Sequence, residues 1–161
     1  MYSPATRNYT RRNLVLSSYK AQPYVVDNNK RVTAELRDAG LSYFAMNSME
    51  ARYLPHLIHP DEHIEGAVFG YQEVGFVLLV ATNWRVIFLD RKPLFTNTDE
   101  VHYKVVSGVV NNHAAFGTTV ILHTRVKEFR VLTLNRPSAK KFVNYIETRC
   151  MENGITKEDY L

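Results

Sequence analysis

The 161-residue chain holds a single cysteine, Cys150. No intramolecular disulfide can form, which suits a reducing compartment. The expected location is the cytoplasm, or a virion if the chain is a phage product. No apolar run approaches the roughly 18 residues needed to span a bilayer. The N-terminus also lacks the long apolar stretch of a secretory signal. Motifs that carry chemistry are scarce as well: the sequence has no glycine-rich phosphate loop, GxSxG elbow, CxxC or HExxH. Ser, His and Asp residues are scattered, and no two carboxylates stand out as an acid/base pair. The expectation is a protein that is not an enzyme and carries no cofactor or metal.

Acids are absent from residues 1–26, which contain Arg7, Arg11, Arg12 and Lys20. The whole chain has 20 Lys and Arg against 16 Asp and Glu, so those four account for the entire net charge of +4. The remainder is neutral, and the basic character belongs to an N-terminal arm. With 45% apolar and 22% charged residues, the body has the composition of one globular domain.

Helical spacing starts after the arm. Asp27 is a candidate cap, Val32 and Leu36 are spaced i, i+4, and Gly40 sits where a left-handed stop belongs. A second helix is expected from about Ser48, with Asn47 and Glu50 at capping-box spacing. Its apolar stripe is Met49, Tyr53 and Leu57, and Pro55 should kink or restart it. Seven runs with β character follow, at 64–71, 76–81, 85–89, 100–103, 105–110, 118–124 and 129–134. Thr82-Asn83 between the second and third predicts a tight hairpin. Pro137 opens a last helix with Ala139, Phe142, Val143, Ile146 and Cys150 on one face. Lys140, Lys141 and Arg149 fall off that face, and Gly154 is the expected stop.

Seven strands with a closing amphipathic helix have pleckstrin-homology-like (PH-like) architecture: mainly β, an antiparallel barrel or sandwich with an N-terminal helical extension. Two segments sharpen the match. LPHLIHPDEHI (residues 54–64) and ATNWRVIFLD (residues 81–90) resemble the lead-in and the strand–turn–strand signature of bacterial PH domains of the YokE-like type. The resemblance runs over about residues 48–152. On this reading 1–23 is a Tyr/Arg-rich arm, 24–58 the helical extension, 59–154 the barrel with its helix, and 155–161 a tail.

The resemblance also raises the question of ligands. PH domains that bind phosphoinositides carry clustered bases around the first hairpin, which here reads GYQEVG, with Glu73 and no base. Phosphoinositide is therefore not expected at the usual site. Arg91 and Lys92 lie in a later hairpin and, with Trp84, are candidate surface anchors. Arg85 is expected to be structural, its head paired with an acid or with carbonyl groups. His56, His59 and His63 lie near Asp61 and Glu62, but their spacing suits a polar connection better than a zinc site. Cys150 is expected to be a buried, inert thiol.

The arm interleaves Tyr9 and Tyr19 with Arg7, Arg11, Arg12 and Lys20. That mixture suits docking on a partner protein and also a nucleic-acid contact. A PH-like fold further offers a peptide groove beside the fifth strand, at Val105, Val106 and Val109. The expected function is a scaffold or interaction protein that self-associates, as a homo-oligomer, or joins a larger assembly. The alternative is peripheral binding of an anionic membrane or nucleic acid through the arm.

Overall fold

The computed structural model describes residues 23–154. Helix α1 is Pro23–Asp38, so Asp27 lies inside it and is not its cap. Val32 and Leu36 are buried as their spacing predicts. The helix ends in a Schellman turn: Gly40 has φ +89, its amide donates to Arg37 O, and the Leu41 amide donates to Leu36 O.

The helix expected from about Ser48 is α3 (Met49–Tyr53), and a short helix outside the expected elements, α2 (Tyr43–Met46), precedes it. Each has a serine cap. Ser42 Oγ accepts the Ala45 amide at 3.2 Å, and Ser48 Oγ accepts the Ala51 amide at 3.1 Å. Asn47, expected as a cap, instead ends α2. Glu50 turns inward, and its Oε1 accepts the Arg91 amide at 3.2 Å. The buried face of this region is Ala51, Leu54 and Ile58, while Met49 is exposed. Pro55 lies in a 3-10 turn, Leu54–His56, as a restart requires.

The strands are β1 (Ile64–Gln72), β2 (Gly75–Thr82), β3 (Arg85–Lys92), β4 (Phe95–His102), β5 (Val106–Ala114), β6 (Gly117–Thr124) and β7 (Glu128–Thr133). They form one antiparallel sheet in the order β4-β3-β2-β1-β7-β6-β5. The fold is PH-like, but the expected closed barrel is an open sheet, with β4 and β5 as its edges. Strand β4 begins well before the expected residue 100. Among its residues only Val101 is buried, so the edge strand lacks the apolar alternation by which strands are read.

Two cores flank the sheet. Val68, Val77, Leu79, Val86 and Phe88 face helix α4 (Arg136–Glu152), which contributes Phe142, Ile146 and Cys150. Ala67, Leu78, Val80, Ile87 and Leu89 face the other way, against α1–α3. The uninterrupted apolar run of β2 follows from burial on both faces. The stripe on α4 is buried as read, and Asn135 Oδ1 caps its start by accepting the Ser138 amide at 3.2 Å. Arg149 departs from expectation: it lies half-buried, its guanidinium 5.0 Å from the Tyr103 ring. Among the described residues no helix is long and apolar enough to cross a membrane.

Candidate functional site

The two family-like segments meet in one polar knot. Glu62, in the first, is 0% exposed. Arg85, in the second, grips it with two parallel bonds, Nε to Oε1 and Nη2 to Oε2, both 2.9 Å. The His59 amide donates to Oε2 at 3.1 Å, and Thr82 Oγ1 donates to Oε1 at 2.8 Å. Thr82 also accepts the amides of Trp84 and Arg85, which shapes the β2–β3 turn. Asn83 Oδ1 accepts the His63 amide at 2.8 Å. Arg85 completes its donor set on Leu57 O and the exposed Glu100. The guanidinium is thus committed to holding the helical extension on the sheet.

This geometry sets the charge of the knot. Burial alone would raise the Glu62 carboxyl. The bonds from Arg85, the His59 amide and Thr82, together with the charge of Arg85, outweigh burial and hold it below the ordinary 4.5. A carboxyl with a depressed folded-state value contributes stability above its unfolded value and loses it as pH falls through the folded one. Thermal melts are therefore expected to show Glu62-dependent stability falling away below about pH 4.5. Glu62→Gln should flatten that part of the profile.

The nearby histidines have separate partners. His63 Nδ1 lies 2.8 Å from Glu35 Oε1, His56 stacks on Tyr53, and the His59 ring is 5.2 Å from that of Trp84. Among the described residues no three His, Cys, Asp or Glu side chains form a group that could hold a metal. Cys150 is buried. Burial pushes its thiol up, and the Glu147 charge acts in the same direction, so a thiolate nucleophile is disfavoured there.

The candidate anchors are placed as follows. Trp84 sits in the β2–β3 turn, 42% exposed. Arg91 stacks its guanidinium 4.2 Å from the Tyr53 ring. Lys92 Nζ bonds Phe76 O and pairs with Asp90. Val106 and Val109 are buried in the core that α4 covers, and Val105 packs partly against it, so none of the three projects into an open peptide groove. Arg7, Tyr9, Arg11, Arg12, Tyr19 and Lys20 lie outside the described residues.

Sequence reading missed an apolar groove of about 450 Å³ that no charged residue lines. It opens between α2 and the converging ends of β1, β2 and β7. Strands β1 and β7 pair only at Tyr71 and Leu132. They come so close there that a Cβ on Gly70 would stand 2.2 Å from Leu132 O. Phe69 and Phe76 stack at 5.2 Å, and Phe44 meets both edge-on. Phe44 is 66% exposed and Leu134 82%. Apolar side chains gathered in one groove and left in water cost free energy. The signal was present as apolar residues at element ends, but three distant segments supply them.

The family described as "Bacterial PH domain" matches residues 58–148. A solved structure, a DUF1696 family protein with a pleckstrin-homology domain from Shewanella loihica PV-4, is similar at 18% identity. The match covers 63% of this chain and 90% of that one, with a TM-score of 0.38. No curated protein matches the chain.

Proposed function

The chain belongs to the bacterial PH-domain family, and from that premise we propose that it is a non-catalytic interaction module that self-associates. In this reading the arm, residues 1–23, of one copy lies in the apolar groove of the next. The observation that carries it is the exposed, uncharged groove lined by Phe44, Phe69, Phe76, Leu132 and Leu134. The arm offers matching chemistry in Leu14, Val15 and Leu16, with Tyr9 and Tyr19 on either side. Fully extended, its 22 residues before Pro23 would reach roughly 70 Å, enough to cross to a neighbour. Arg7, Arg11, Arg12 and Lys20 would then sit at the polar rim, where interface charges belong. Closer affinity to the YokE-like type is part of the proposal and rests on the two segments joined by Glu62 and Arg85.

A photo-crosslinking residue at position 15 tests the docking, using a mixture of isotope-labelled and unlabelled copies. The expected products join two copies, through peptides containing Phe69–Phe76 or Leu132–Leu134. Products confined to one copy would overturn the intermolecular reading. Tight binding to anionic vesicles or oligonucleotides at low salt, lost at physiological salt, by a monomeric protein would transfer the function to the alternative.

A further inference from the structure

A second cavity, of about 520 Å³, lies at the opposite end of β2 and β3, where the β2–β3 turn, the β4–β5 connection and the end of α4 meet. Its chemistry differs from that of the groove. Lys104 and Arg149 bring cations to it, while Trp84 and His59 supply ring faces. Lys104 makes no ion pair among the described residues. Arg149 is engaged: Nη1 pairs with Glu152, Nη2 donates to Asn83 O at 3.3 Å, the guanidinium lies over the Tyr103 ring, and its unpartnered Nε is buried. Arg85 in the wall is already neutralised by Glu62 and Glu100. The groups left open are Lys104, which can take a carboxylate, and the 42% exposed Trp84, which can take a further ring.

The chain carries both close by. Asn153 lines the cavity, and Gly154, at φ +74, turns the backbone out of α4. The following residues, 155–161, read ITKEDYL and contain Glu158, Asp159 and Tyr160. Glu158 is five positions beyond Asn153, a reach of up to about 17 Å. We propose that this cavity is a docking site for an acidic, tyrosine-bearing peptide, and that its occupant is the chain's own segment 155–161. Glu158 and Asp159 complement Lys104, and Tyr160 supplies a ring for the exposed part of Trp84. The same chemistry would let an acidic partner peptide compete for the cavity.

Trp84 is the sole tryptophan, so its fluorescence reports on this cavity alone. The experiment compares acrylamide quenching in the full chain and in the variant Glu158→Lys/Asp159→Lys/Tyr160→Ser. The expected result is a red-shifted, more readily quenched Trp84 in the variant. Synthetic ITKEDYL should restore its protection, and high salt should weaken that rescue. In the full chain the protection should be independent of protein concentration. Equal quenching of the two proteins, with no effect of the peptide, would overturn the site. Concentration-dependent protection would overturn its occupation by the same chain.

Discussion

Arg85→Met is expected to destabilise the fold by about 3–5 kcal/mol, because it strands a carboxylate in the interior. Glu62 has no access to solvent, and two of its bonds come from that guanidinium. For a chain of this size the loss corresponds to a melting temperature lower by about 6–20 °C. Total domain stability is only about 5–15 kcal/mol, so the variant will be marginal. The compensating double variant, Glu62→Leu with Arg85→Met, should regain much of the loss, since the penalty is the unpaired charge and not the absence of attraction. Glu100→Gln should cost less than about 1 kcal/mol, as befits an exposed pair. A melt of Arg85→Met within 1 kcal/mol of the parent would remove Arg85 from its structural role.

The second large effect belongs to the groove. Leu134 is mostly exposed, so Leu134→Ser should change stability by no more than about 0.5 kcal/mol, whereas Phe44→Ser also loses edge contacts with Phe69 and Phe76 and should cost about 1–3 kcal/mol. As anchors of a docked segment both should also matter to association. A loss of about 2 kcal/mol at either position, the threshold of an interface hot spot, weakens association about 30-fold. Sedimentation across a concentration series will separate the two effects. Variants that remain cooperatively folded yet dissociate at higher concentration are the expected result. Variants that associate like the parent would show that the groove is not the docking surface.

How much of this was legible depended on where each residue's partners lay in the chain. The stripe on α4 could be read from spacing because one continuous helix face carries Ala139, Phe142, Val143, Ile146 and Cys150 into one core. The turn at Thr82-Asn83 was legible because the bonds that shape it, from the Trp84 and Arg85 amides to Thr82 Oγ1, are local. The structural role of Arg85 could be read, but its partner Glu62 is 23 residues away and only folding joins them. Strand β4 was read short because an edge strand in water needs few apolar residues. Helix α2 was illegible because a four-residue helix capped by Ser42 is too short to show a period. Arg149 was assigned to solvent by its position off the stripe, although its aliphatic stem and planar head can cover a tyrosine. The groove was illegible for a stronger reason: it forms only when residues 41–45, 69–76 and 132–135 converge. Nothing in the period of any one element marks them as neighbours.

The central claim, that copies associate by placing the arm in a neighbour's groove, is tested most directly by solution mass. Light scattering should be run on the full chain, on a chain beginning at Pro23, and on the Phe44→Ser/Leu134→Ser variant. Among the described residues both cores lie within 32–150, and the shortened chain retains all of them. The account predicts a multimer for the full chain and monomers for the other two, all three melting cooperatively. A full chain that is monomeric at every concentration, or a multimer that survives loss of the arm, would contradict it.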